Sequence, residues 1–242
     1  MTNAKDRLIV ALDFPTGKEA KALVEELGDA VIFYKVGMEL FYSEGPAIVS
    51  YLKERGKKVF LDLKLQDIPN TVAHSLAVLT RLGADIMNVH AVGGPKMMAE
   101  GMKAIGEAAE KLGVPAPKLI AVTILTSMDE AQWAPLGYEK SIGEEVLALA
   151  ALAKESGLSG VVASPREAES IRKVCGSDFL IVTPGVRPTW AAANDQSRIA
   201  TPSMALKNGA THLVVGRPIT KAENKIDAVN RILKEMEGAL HE

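Results

Sequence analysis

Residues 58–71 read Lys-Val-Phe-Leu-Asp-Leu-Lys-Leu-Gln-Asp-Ile-Pro-Asn-Thr, an apolar run that ends in three ionisable groups, Asp62, Lys64 and Asp67. Val59, Phe60, Leu61, Leu63 and Leu65 form the nearly continuous apolar segment expected of a strand buried on both faces in a parallel sheet. Side chains alternate along a strand, so Asp62 and Lys64 share one face. Burying two charges costs several kcal/mol per ion unless they are paired and hydrogen-bonded. Charges at the mouth of a core strand are therefore either a compensated structural pair or a working site, and the strand-end position favours the second. Pro69 predicts the start of a helix, which leaves Asp67 in the turn, free to complete a carboxylate–ammonium–carboxylate cluster.

The same strand-then-helix beat runs through the chain. Apolar runs predict strands over 8–13, 31–37, 59–65, 85–90, 119–123, 160–163, 179–183 and 212–215. Between them, Thr16-Gly-Lys-Glu19 and Ser141-Ile-Gly-Glu144 are capping boxes, and Ser164-Pro165 and Thr201-Pro202 place an N-cap before a proline at the first helical position. Helices are expected over 43–55, from Pro69 towards Gly83, over 94–112 and over 226–240, with Gly28, Gly56 and Gly209 as stops. Eight beats without a linker or low-complexity segment predict an α/β fold, a closed (β/α)8 TIM barrel in a single domain over 1–242. An open doubly wound sheet is disfavoured, because no Gly-x-Gly-x-x-Gly follows the first strand.

Composition narrows the function. The chain has 242 residues, 48% of them hydrophobic, and a net charge of −2 with its lysines and arginines dispersed. Neither a nucleic-acid stripe nor an anionic-membrane patch is expected, and no apolar run approaches the ~20 residues that span a bilayer. A small molecule is the expected partner. One cysteine, Cys175, and an amino terminus without an apolar signal region predict a reducing cytoplasm, with Cys175 a small buried hydrophobe.

In such barrels the functional groups stand at the carboxyl ends of the strands. Those ends hold Asp13, Lys35, Asp62 with Lys64, Asn88 with His90, Thr126 with Ser127, the run from Thr183 to Arg187, and Gly216 with Arg217. Asn88 and His90 read equally well as hydrogen-bonded structural residues. The eighth strand ends Val-Val-Gly216-Arg217-Pro-Ile-Thr, a glycine for close backbone approach and an arginine suited to a phosphate. Barrels often bind phosphate between the loops after strands seven and eight, and the seventh loop, from Pro184 through Gly185 and Arg187 to Gln196, is long enough to close as a lid. The stretch 128–140, with Trp133 and Tyr138, carries no recognisable motif.

These motifs, in order, resemble the orotidine 5′-monophosphate decarboxylase family over essentially the whole chain: Ala-Leu-Asp13, Lys35-Val-Gly-Met-Glu-Leu-Phe, Asp62-Leu-Lys64-Leu-Gln-Asp67-Ile-Pro-Asn-Thr71, Asn88-Val-His90-Ala, Leu-Thr126-Ser127, Thr183-Pro-Gly185-Val-Arg187, Asn194-Asp-Gln196 and Val-Gly216-Arg217. The resemblance implies a cofactor-free and metal-free decarboxylation of a pyrimidine nucleotide in the last step of uridylate synthesis. It implies that Asp13 and Lys35 hold the ribose, that Asp62, Lys64 and Asp67 form the charged array, and that Thr126 and Ser127 meet the pyrimidine. It further implies that Arg187, Gln196, Gly216 and Arg217 hold the phosphate. It also implies a homodimer in which Asp67 and Thr71 reach into the neighbouring site. A sister branch of phosphosugar decarboxylases and aldolases shares Asp-x-Lys-x-x-Asp but uses Mg²⁺. Lys35 argues against that branch, since an ammonium where a metal-binding carboxylate should stand would repel a divalent cation. A non-catalytic nucleotide-binding barrel fits the phosphate end but leaves Asp62, Lys64 and Asp67 without a purpose.

Overall fold

In the computed structural model, which describes residues 3–191 and 200–240, eight parallel strands close into a barrel in sequence order. They are β1 (Leu8–Ala11), β2 (Phe33–Gly37), β3 (Lys58–Leu65), β4 (Ile86–His90), β5 (Lys118–Val122), β6 (Gly160–Val162), β7 (Leu180–Thr183) and β8 (His212–Val215). Closure follows from β1 pairing with both β2 and β8, which leaves no sheet edge exposed. Each strand carries two buried faces. Ile9, Phe33, Phe60, Ile86, Ile120 and Val214 fill the barrel interior, while the alternate residues pack outward against the helices.

Strand boundaries fall within two residues of the periodicity, but two helix expectations change. The single helix expected over 43–55 is two, Met38–Glu44 and Ala47–Glu54, broken where the chain turns at Gly45-Pro46. Proline cannot donate the amide that a continuous helix needs there. Ser164-Pro165 does not open a helix either. The Ser164 hydroxyl accepts the Arg166 amide at 3.3 Å inside a turn, and the helix begins at Ala168. The other caps form: Thr16 accepts the Glu19 amide, Ser141 and Glu144 make a reciprocal capping box, and Thr201 accepts the Met204 amide. Cys175 is buried, and burial pushes its thiol pKa up, as suits a small hydrophobe.

The stretch 128–140 folds on itself. A capping box at Asp129 starts a short helix, Glu130–Trp133, and buried Trp133 donates its indole N–H to the Lys140 carbonyl at 2.8 Å while stacking on Tyr138 at 4.3 Å. These residues thus form a small aromatic cluster in the connection after β5. None of the described helices is long and apolar enough to cross a membrane.

At the opposite end of the barrel His212, on the interior face of β8, meets Phe33 edge-on at 6.0 Å. Burial, then the nearby Arg7 and Lys58, push its pKa down to about 4. Its ordinary value is about 6.5, so between those pH values the unfolded chain binds a proton that the folded chain refuses. Stability should therefore fall as pH drops from about 6.5 to about 4. His212→Gln should remove roughly 2 kcal/mol of that fall, the full shift being discounted for the ring's partial exposure, in chemical denaturation compared at pH 7 and pH 4.5. An unchanged pH dependence in the variant would place the titration elsewhere.

Candidate active site

Four charged side chains converge where β1, β2 and β3 end. The Lys64 ammonium meets Asp62 Oδ1 at 2.6 Å, Lys35 meets Asp62 Oδ2 at 3.3 Å, and Lys35 also meets Asp13 at 2.8 Å. Asp62 is thus held between two ammoniums. Its side chain keeps only 10% of its exposure and that of Lys35 only 12%, whereas Asp13 remains open at 62%. Burial would push the Asp62 carboxyl up, but Lys35 and Lys64 outweigh it and hold its pKa below the usual carboxylate range. Burial would likewise pull Lys35 down, but Asp62 and Asp13 prevail and hold its ammonium above the ordinary lysine value. Asp62 and Lys35 are therefore both ionised at neutral pH. Beside it, burial and then Lys64 push the His90 pKa down, so the ring is neutral.

Lys64 is the one non-glycine residue at positive φ among those described, at 53°. A left-handed backbone costs an L-residue about 1–2 kcal/mol, so the surroundings must hold it there. The β3–β4 register shows how. Leu61 pairs with Met87 and Leu65 with Val89, which leaves Asp62, Leu63 and Lys64 opposite Asn88 alone. The strand bulges at this point, and Lys64 and Asp62 are re-aimed towards the barrel mouth.

Next to the array lies a cavity of about 760 Å³ lined by Asp13, Lys35, Gly185, Arg187, Gly216 and Arg217, among others. Lys35 belongs to both, so the charged array and the cavity are continuous. Arg187 is buried and donates to the Val186 carbonyl at 3.0 Å; Arg217 is half-buried at the first position of a short helix. The cavity's size falls within the range of small-molecule sites, and its cations suit an anionic guest. Gly185 takes a φ of 75°, as the sharp turn after β7 requires. The far side of that loop returns at Ala200, whose carbonyl accepts the Arg187 amide at 2.9 Å. Gln196 and Asn194 lie outside the described residues.

Other expected residues stand at the mouth without joining the array. Asp67 does not complete a three-charge cluster within this chain; it is exposed, and its carboxylate accepts the Ile68 amide at 2.7 Å. Thr71 is exposed in the first turn of the helix Pro69–Thr80. Thr126 is half-buried and Ser127 exposed in the turn after β5. Among the described residues, no three His, Cys, Asp or Glu side chains are grouped as metal ligands would be.

A model of the orotidine 5′-phosphate decarboxylase / HUMPS family matches residues 6–232. The chain belongs to this family. Relatives bearing the name orotidine 5′-phosphate decarboxylase include one from Moorella thermoacetica, 50% identical over 236 residues, which span 97% of this chain and 94% of that one. Another, from Carboxydothermus hydrogenoformans, is 49% identical over 98% of each chain. The crystal structure of the orotidine 5′-phosphate decarboxylase from Lactobacillus acidophilus superposes with a TM-score of 0.84 at 41% identity, over 95% of this chain and 98% of that one.

Two features of this decarboxylase-family site were not singled out from sequence. Ser43 donates to the Pro15 carbonyl at 2.9 Å and Glu44 accepts the Gly17 amide at 2.8 Å, which ties the loop carrying Asp13 to the helix Met38–Glu44. No local signal marks that pairing. Gly37 is the other: a Cβ there would stand 2.9 Å from the Lys35 ammonium and 3.4 Å from Asp13. Its signal was the alternation that puts Lys35 and Gly37 on one face. Gly37→Ala should displace the flexible lysine tip with little effect on melting temperature. Loss of a charge-assisted contact of ~1.5–3 kcal/mol should then weaken nucleotide binding about tenfold or more, measured by calorimetry with uridine 5′-monophosphate. Unchanged affinity would show that Lys35 does not need that space.

Proposed function

We propose that this chain removes CO₂ from orotidine 5′-monophosphate to give uridine 5′-monophosphate, the last step of de novo uridylate synthesis, without a metal or cofactor. The observation that carries this reading is Asp62 buried between the Lys64 and Lys35 ammoniums, beside a cation-lined cavity large enough for a nucleotide. Lys35 also separates the reading from a Mg²⁺-dependent one. Its ammonium already neutralises both Asp13 and Asp62, the carboxylates a divalent cation would need.

Asp13 and Lys35 hold the ribose hydroxyls, Thr126 and Ser127 meet the pyrimidine, and Arg187, Gln196, Gly216 and Arg217 hold the phosphate. The C6–carboxylate bond then breaks with its electron pair left on C6, in an in-plane orbital that the ring cannot delocalise well. Lys64 gives a proton to C6 and regains one from solvent. The barrier to be removed lies towards the upper end of the ~8–23 kcal/mol that enzymes commonly supply. An ammonium about 4 Å from the developing carbanion contributes on the order of 4 kcal/mol at an effective dielectric of 20. Lys64 alone is therefore insufficient, and the remainder comes from preorganised surroundings and from phosphate binding used to close the site. Asp62, ionised and fixed, also faces the substrate carboxylate.

The working unit in this reading is a homodimer of one-domain barrels spanning residues 1–242. Asp67 and Thr71 stand exposed beside their own array without joining it. Around them Tyr42, Ile68, Val92 and Leu125, all in segments following β2 to β5, leave large apolar surfaces open at the mouth, Tyr42 and Ile68 by 71% and 67%. A second copy on that rim covers those side chains and receives Asp67 and Thr71 in its own site.

Purified protein should bleach the orotate absorbance of orotidine 5′-monophosphate at a rate unchanged by excess EDTA. Loss of activity in EDTA with recovery in Mg²⁺ would favour the sister branch, and binding without turnover would leave a nucleotide-binding barrel. For the shared site, mixing the inactive variants Asp67→Ala and Lys64→Ala should regain activity through hybrid dimers, each with one doubly lesioned site and one intact. No recovery despite demonstrated subunit exchange would return Asp67 to its own subunit's site.

A further inference from the structure

Asn88 sits in the middle of β4 with 1% of its surface exposed, on the interior face that also carries Ile86 and His90. Its side-chain carbonyl accepts the Lys64 amide at 2.8 Å, and its side-chain NH₂ donates to Asp62 Oδ1 at 2.7 Å. Asp62 Oδ1 is the same oxygen that receives the Lys64 ammonium. One amide group therefore touches the backbone of Lys64 and the carboxylate that grips its side chain.

The backbone geometry gives that contact its meaning. Where Asp62, Leu63 and Lys64 bulge against a single residue of β4, the regular ladder offers the Lys64 amide no facing carbonyl. A buried amide must be satisfied, and Asn88 supplies from its side chain what the ladder lacks. The same contact fixes Lys64 at its positive φ. Side-chain chemistry restricts what else could serve. An ionised aspartate would accept from the Lys64 amide but could not donate to Asp62, and leucine could do neither, whereas the asparagine carboxamide offers an acceptor and a donor from one compact planar group.

We propose that Asn88 is a positioning residue for decarboxylation: it locks the bulged Lys64 backbone to the Asp62 carboxylate, so that the ammonium is aimed before substrate arrives. The inference rests on the decarboxylase reading of the site. Asn88 itself does not touch the cavity lined by Arg187 and Arg217, so its loss acts on the chemical step and not on nucleotide capture. The two bonds are also separable in their effects. Removing the donor to Asp62 while keeping the acceptor adds a second carboxylate beside the first, and two carboxylates in contact cannot both ionise easily.

The test compares wild type, Asn88→Ala, Asn88→Leu and Asn88→Asp, with kcat, KM and pH profiles for orotidine 5′-monophosphate and calorimetric affinity for uridine 5′-monophosphate. Asn88→Ala and Asn88→Leu should lose about 10²-fold or more in kcat, since small misplacements of a reacting group carry penalties of that order, with KM and product affinity held within about threefold. Asn88→Asp should in addition move the acid limb of its kcat/KM profile to higher pH. Wild-type kcat in Asn88→Ala, or parallel losses in kcat, product affinity and melting temperature across the set, would overturn the proposal and leave Asn88 a packing residue. A wild-type protein that binds the nucleotide without decarboxylating it would overturn the reading on which the proposal rests.

Discussion

The Asp62 carboxylate stands at the end of a core strand, nine-tenths out of water, with an ammonium on each oxygen. Burial at that depth works against the charged forms of both Asp62 and Lys35, and removal of one partner would leave a buried charge uncompensated. The rest of the site follows from satisfying this carboxylate. Lys35 is brought from the neighbouring strand, Gly37 clears space for it, Asp13 holds its remaining face, and Asn88 closes the last contact. A pair of charges that would be a weak source of stability becomes a rigid field directed at the barrel mouth.

The barrel makes this arrangement possible because closure buries each strand on both faces and leaves only the strand ends for polar work. Its two ends divide the tasks. At the far end His212 is kept neutral by burial and by the nearby Arg7 and Lys58, while at the mouth Asp62 and Lys35 keep each other ionised. The bulge in β3 belongs to the mouth. It takes the strand out of its ladder just where the Lys64 ammonium turns back onto Asp62. Local strain at this position is supported by the packed apolar layer beneath it, Phe60 and Ile86 included.

Strand positions were legible because a doubly buried strand has to be apolar throughout, and the eighth strand was read residue for residue. The polar strand ends were legible for the same reason, as interruptions of apolar runs. Ser164-Pro165 misled because a serine hydroxyl caps a turn as readily as a helix, and only the later packing of Ala168 and Ile171 decides which. The break at Gly45-Pro46 was written in the residues but outweighed by the apolar period around it. Asn88 could not be assigned from sequence, because its task depends on a register shift between two strands, which no single strand encodes. The ties from Ser43 and Glu44 to the loop after β1 are tertiary in the same sense. Asp67 looked like a third member of the array from its spacing, yet spacing along a turn does not say where a carboxylate points, and it turns to the Ile68 amide.

The central claim is that Lys64, held by Asp62, delivers the proton to C6 and faces the charge that develops there. Steady-state decarboxylation of orotidine 5′-monophosphate by Lys64→Ala measures it most directly, with uridine 5′-monophosphate affinity taken on the same protein as a check that the site still assembles. The account predicts a kcat lower by several orders of magnitude with product still bound, because the variant loses both the proton donor and the facing charge. A variant that binds product and keeps a tenth of the wild-type kcat would contradict it.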